Sequence, residues 1–420
     1  MKRILKKFFK PLKNFRFMID LFIRNRLLKM VAISFLAIMC NLNGAAALAA
    51  DVAVVGRQIF LDGKPFTMKG VGYSPVPIGI DPEISPPYGD YFTSAYGPIY
   101  SRDIPILRRM GANTIRLWGW NNAADHTDFL DMAYNDGNAP IYVVVTFWMG
   151  PSAYPDISSP KARADIKSAF RSMVATHKNH PAVLMWSIGN ELNAPWNYGN
   201  NPGDLFSLIN EMASEAHMEE GAAYHPVTSP MADINLITTI AAYDSSLNHL
   251  DLWSVQVYRG QSFGSLFSDY QNASTKPLAI LEYGIDAYDD GNGDEYENIG
   301  IPYQALYAKT LWTEILKNSG VCIGGSIMAY SDEWWKGKYG KTDLDHPNCP
   351  ENDPSLQSNC GYSTSSNPDG YANEEWWGIM RTRDNGVDPD ILQPRRIYYT
   401  LMSLWKFHET SWFPLLLLDD

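Results

Sequence analysis

The chain has 420 residues, of which 45% are hydrophobic, 19% charged and 13% aromatic. That composition buries a large core and excludes a disordered or fibrous protein. A formal net charge of −12 argues against nucleic acid as a partner, because a phosphate-binding surface is built from Lys and Arg.

The charge is unevenly spread. Residues 1–30 hold ten basic residues against the single acid Asp20, and residues 31–50 hold no charge. Setting these aside from the 34 basic and 46 acidic residues leaves 24 against 45, a net of −21. The basic stretch runs into the apolar segment Met30–Cys40, and the small residues from Ala45 to Ala50 offer a cleavage site before Asp51. This pattern predicts an export signal over 1–50 and a secreted or periplasmic mature chain over 51–420, with membrane contact only through the signal. An uncleaved anchor is the alternative: the apolar core is about half of the ~20 residues a span requires, and counting on to Ala50 makes a marginal one.

No internal repeat or low-complexity linker divides residues 51–420, so they are expected to form one domain. Val55 to Phe66 reads as a hairpin turning at Asp62-Gly63. Eight short apolar runs then alternate with amphipathic stretches: 66–71, 114–118, 141–147, 183–188, 226–229, 252–257, 278–281 and 324–329. Such alternation is the pattern of parallel β/α units, and eight of them predict a single (β/α)8 TIM barrel of the α/β class. The hairpin is expected to close its bottom, and long loops follow strands seven and eight. A doubly wound open sheet is the structural rival and lacks its usual glycine fingerprint here.

Several helices are legible between the runs. Ser101 is expected to cap a helix facing Ile104, Leu107 and Met110 inward and ending at Gly111. Ile166, Phe170, Met173 and Val174 form a second stripe, and Leu205, Leu208, Ile209 and Met212 a third. Pro394 is expected to open a last helix bearing Ile397, Leu401 and Trp405. His126, His180 and His225 lie near helix ends or strand starts and read as structural imidazoles.

Three cysteines follow residue 50. Cys322 sits in an apolar run and reads as a buried free thiol. Cys349 and Cys360 lie in a segment rich in Asn, Asp, Pro and Ser, where a local disulfide would stiffen a loop without its own core; two free thiols are the alternative. No spacing suggests zinc. Asp290, Asn292 and Asp294 alternate like the start of a calcium loop, but the twelfth position from Asp290 is Ile301, so a solvated acidic loop is expected.

In such a barrel the chemistry belongs at the C-terminal ends of the strands. Strand four runs out through Trp186-Ser187-Ile188-Gly189-Asn190-Glu191, and strand seven through Leu278-Ala279-Ile280-Leu281-Glu282. Two carboxylates therefore close two apolar strands on opposite sides of one mouth. A pair of that kind suits glycoside hydrolysis, and retaining enzymes hold their carboxyls about 5 to 5.5 Å apart.

These strand ends resemble glycoside hydrolase clan A, whose W-S-x-G-N-E signature is similar to Trp186–Glu191 and whose strand-seven nucleophile segment is similar to Pro277–Gly284. The resemblance spans the barrel and lies closest to the β-galactosidase-like and β-glucan-acting branches, without the accessory sandwich domains of the former. It implies Glu191 as acid/base and Glu282 as nucleophile, Arg116 and Tyr258 keeping Glu282 charged and aimed, and Asn190 bonding the sugar 2-hydroxyl. Trp118, Trp148, Trp334 and Trp335 are the candidate stacking platforms, with Trp120 and Trp196 also following strand ends. At strand eight the chain departs from the pattern, with Ala329-Tyr330 where many members carry Trp.

The expected activity is that of an exported retaining β-glycosidase on a carbohydrate polymer or oligosaccharide, with β-glucan first among candidates, and with no cofactor and no metal. A β-glucan transglycosylase is the alternative within the enzyme class, and a noncatalytic glycan-binding protein the alternative outside it.

Overall fold

The computed structural model describes residues 49–336 and 362–406. Eight parallel strands close into a barrel. They are Met68–Gly72, Thr114–Arg116, Tyr142–Phe147, Val183–Ile188, the fifth strand, Trp253–Gln256, Leu278–Tyr283 and Cys322–Ile327. The hydrogen-bonded order runs five, four, three, two, one, eight, seven, six, five. The fifth strand stands at both ends because it is broken at Ser229. Val227–Thr228 pairs with strand four, whereas Pro230–Ala232 pairs with strand six. Ser229 bridges the break by donating its hydroxyl to the Ile188 carbonyl at 2.7 Å.

Strand residues alternate between two apolar layers. Val143, Val145, Val183, Ile188, Val255 and Ile280 join the helices in the outer layer, where the expected stripes Ile104-Leu107-Met110, Ile166-Phe170-Met173-Val174 and Leu205-Leu208-Ile209-Met212 are all buried. Each such side chain contributes about 1.5–3 kcal/mol. Met68, Val144, Leu184, Leu252, Ala279, Leu281 and Ile323 fill the inner layer. The N-terminal segment packs on that inner layer through Val52, Ile59 and Leu61, so it closes the barrel bottom.

Details differ from expectation at the element ends. The N-terminal segment is a three-stranded antiparallel sheet, Val52–Val55, Gln58–Leu61 and Lys64–Phe66, because Gly56-Arg57 makes a turn besides Asp62-Gly63. The first long helix, Gly97–Met110, begins a turn before Ser101, with Pro98 in its opening turn, a position where the missing N–H costs nothing. Pro394 ends a strand, Ile391–Pro394, paired with Met380–Arg383, and the last helix is Arg396–Lys406. Helices Thr127–Tyr134, Leu236–Tyr243, Leu266–Ala273 and Tyr303–Lys317 complete the wheel.

The long segments after strands seven and eight are tied together by buried charge. Arg395, 1% exposed, binds Glu295 and Asp332, and Arg381 adds two bonds to Glu295. The acidic loop itself forms a tight hairpin in which Asp289 accepts from the backbone of Gly291 and the side chain of Asn292. Cys322 is buried and free, its thiol pushed up to about 12 by burial. Cys349, Cys360 and residues 1–48, where an export signal is expected, lie outside the described residues. No helix among the described residues is long and apolar enough to cross a membrane.

Candidate active site

A cavity of about 640 Å³ opens at the C-terminal ends of the strands, and both Glu191 and Glu282 line it. Glu282 reaches it through an irregularity in strand seven. The pairing with strand six steps from Val255↔Ile280 to Gln256↔Glu282, leaving Leu281 as an extra residue. Such a bulge re-aims a side chain, here so that Leu281 enters the barrel core while Glu282 turns into the mouth.

Four donors converge on Glu282, which is 6% exposed. Its Oε1 accepts from Arg116, from Trp118 Nε1 at 3.0 Å and from Gln256 Nε2 at 2.7 Å, and its Oε2 accepts from Tyr258 at 2.8 Å. Arg116 is fully buried and also bonds Asn190 Oδ1 at 2.5 Å, an oxygen that Gln256 meets at 2.6 Å. Its guanidinium carbon lies 4.3 Å from the ring centre of Trp118. Bonds of this number fix a carboxylate in one orientation.

Glu191 has different surroundings. It follows Gly189 and Asn190 in a turn where Gly189 has φ +62° and Glu191 itself φ +50°, a left-handed conformation uncommon for residues other than glycine. A side chain at Gly189 would be strained at this φ and would displace Leu192, whose Cδ1 lies 2.5 Å from where a Cβ would stand. The turn is pinned by Glu191 N–H donating to the Pro230 carbonyl and by Asn197 Nδ2 donating to the carbonyl of Glu191. Burial, reinforced by the charge of Glu282 and opposed by Arg116, pushes the Glu191 carboxyl up to about 7. Two carboxyls in one cavity thus have different surroundings, one gripped by four donors and one buried with its pKa raised.

Of the residues singled out in the sequence, Glu191, Glu282, Arg116, Asn190, Tyr258 and Trp118 come together here. Trp148, 54% exposed with its Cβ against Gly119, is not among the residues lining the cavity. Trp334 and Trp335 are not in this cavity. Trp334 lies edge-on to Trp376 at 4.8 Å and lines a separate depression, while Trp335 packs near Val76, Tyr91 and Ile99. The aromatic wall on the strand-eight side is instead Trp377, set edge-on to Tyr258 at 4.8 Å. Tyr330 turns away to bond Asp103 at 3.0 Å.

Gln256, Lys336, Glu374 and Trp377 were not among the residues singled out. Gln256 carries a signal in retrospect, as it lies two positions before Tyr258 and shares its face of strand six. Trp120 stacks on His126, which bonds Asp90; His180 meets Asp131 and His225 meets Glu220. All three imidazoles stand outside the cavity lining.

A family model described as "Glycosyl hydrolases family 2, TIM barrel domain" matches residues 52–339. Over 332 residues the chain is 24% identical to a 1,3-beta-glucanosyltransferase of Saccharomyces cerevisiae, covering 76% of this chain and 63% of that protein. It is likewise 24% identical over 250 residues to the Homo sapiens beta-glucuronidase, covering 56% of this chain and 33% of that one. The structure of Saccharomyces cerevisiae Gas2p with laminaritetraose and laminaripentaose superimposes with a TM-score of 0.58 at 16% identity, over 86% of this chain and 68% of that one. The beta-galacturonidase of Eisenbergiella tayi bound to galacturonate does so with a TM-score of 0.54 at 17% identity, over 85% and 54%. The chain therefore spans about two thirds of the first of these proteins and a third of the second.

Proposed function

The chain belongs to glycosyl hydrolase family 2 through its TIM barrel domain, and on that footing we propose that it is a retaining β-glycosidase with Glu282 as nucleophile and Glu191 as acid/base. The observation that carries this reading is the contrast within one cavity: Glu282 takes four donors, while Glu191 is pushed up to about 7. Tyr258 is the donor on Oε2, and a lone pair of that oxygen attacks C1. The bond from C1 to the leaving oxygen breaks as that oxygen takes the Glu191 proton. Glu191, now a carboxylate, then removes a proton from an incoming water or sugar hydroxyl whose oxygen attacks C1 and releases Glu282. Asn190, held by Arg116 and Gln256, is placed to bond the 2-hydroxyl as charge develops on the ring.

Transfer to a sugar instead of water is the second reading, and Trp196 favours it. The ring follows Glu191 by five residues, lines the cavity and is 65% exposed, so it offers an apolar platform on the leaving-group side. The relative named as a 1,3-beta-glucanosyltransferase and the laminari-oligosaccharides held by Gas2p point to β-glucan as substrate. A noncatalytic glycan binder needs neither glutamate. Export rests on the basic and apolar character of residues 1–50.

The test is incubation with a panel of β-glucans and aryl β-glycosides. Turnover that Glu282→Gln abolishes supports the proposal, and the absence of turnover on every substrate contradicts it.

A further inference from the structure

Five charged side chains line the cavity: Glu191, Asp233, Glu282, Glu374 and Lys336. Acidic side chains outnumber the ammonium four to one, and the cations in reach among the described residues are already engaged. Lys336 Nζ stands 2.9 Å from Glu333 and 3.3 Å from Glu374. Arg116 is held by Glu282 and Asn190, and Arg259 grips Asp233 through bonds of 2.6 and 2.7 Å. Among the described residues, no unpaired cation faces this space.

Two consequences follow for the sugar beside the carboxyl pair. A pyranose bearing a carboxylate at C5 would add a negative charge to a partly desolvated site whose cations, among the described residues, already hold carboxylates. Hydroxyl groups meet a favourable surface. An ammonium has three hydrogens to donate, and a carboxylate can accept at about four positions. Lys336 and Glu374, with side chains 30% and 40% exposed, therefore offer a donor group and an acceptor group to neighbouring hydroxyls.

We propose that the cavity selects a neutral hexopyranose over a uronic acid, and that Lys336 and Glu374 are the specificity-determining pair that reads the sugar's hydroxyls. The inference rests on the glycosidase reading and narrows it, separating the chemistry of the glucanosyltransferase relative from that of the glucuronidase.

The experiment uses the full chain and compares kcat/KM on p-nitrophenyl β-glucoside, β-galactoside and β-mannoside with that on the β-glucuronide and β-galacturonide. The best neutral substrate should exceed the better uronide by at least about tenfold, the least that uncompensated like-charge contact costs; any smaller ratio overturns the proposal. Failure to turn over any β-glycoside overturns instead the reading on which it rests. In Glu374→Gln the neutral-to-uronide ratio should fall by about threefold or more, because one repelling charge is gone while the shape is kept. A purely structural role for Glu374 would depress all substrates alike, and an unchanged ratio would remove the pair from the proposal. The comparison on the unaltered chain stands whether or not the variant folds.

Discussion

Tyr258 donates its hydroxyl to Oε2 of Glu282 at 2.8 Å, while Arg116, Trp118 and Gln256 all take the other oxygen. The phenol therefore aims the oxygen that the proposed mechanism uses to attack. A hydrogen bond to a charged group contributes about 1.5–3 kcal/mol. Tyr258→Phe should accordingly lower kcat/KM by about 10- to 100-fold. Its ring contact with Trp377 is kept, so circular dichroism should show the fold of the unaltered chain.

The pH profile follows from Glu191. Its carboxyl is pushed up to about 7, so the proton is present below that pH and lost above it. The first step needs that proton, and kcat/KM on substrates with poor leaving groups should fall as pH rises through about 7. On aryl substrates whose leaving group departs unaided the limb should be absent, and Glu191→Gln should leave their kcat/KM profile unchanged. A limb that persists in the variant would belong to another residue.

Trp196 offers its exposed ring to the leaving group or acceptor. Aromatic contacts of this kind are worth about 0.5–1.5 kcal/mol, so Trp196→Ala should raise KM for oligosaccharides by about 3- to 10-fold. Trp196→Phe should recover most of the loss. The ratio of transfer to hydrolysis products, read by chromatography at fixed acceptor concentration, should fall in parallel.

Arg395 tests the scaffold rather than the chemistry. It joins Glu295 after strand seven to Asp332 after strand eight, and all three are buried. Removing one partner of such a network leaves buried charges uncompensated and costs about 3–5 kcal/mol. Chemical denaturation of Arg395→Ala should show a loss of that size.

The barrel and the heart of the site were legible because both follow from local rules. Apolar runs such as Val183–Ile188 announce buried parallel strands, and parallel strands place their last residues at one mouth. That brought Arg116, Asn190, Glu191, Tyr258 and Glu282 together on paper as in the structure. The bulge at Leu281 was not legible, since it lies in the pairing of strand seven with strands six and eight rather than in the sequence of strand seven. Nor were Trp377, Glu374 and Lys336. They stand in the segments after strand eight, which ion pairs such as that of Arg395 with Asp332 position, and a partner choice made across 63 residues leaves no periodic trace. Trp334 and Trp335 were attractive because they follow strand eight closely, yet packing against Trp376 and the Val76 cluster takes their rings elsewhere.

The assignment of roles to Glu191 and Glu282 is tested most directly by azide rescue with an aryl β-glycoside whose leaving group needs no acid. In Glu191→Ala the covalent intermediate still forms on Glu282, and azide, which needs no general base, should attack it to give the β-glycosyl azide. In Glu282→Ala no intermediate forms, and direct displacement should give only the α-glycosyl azide. A β-azide from Glu282→Ala would mean that the two roles are reversed, and undiminished hydrolysis without azide in either variant would place the chemistry outside this cavity.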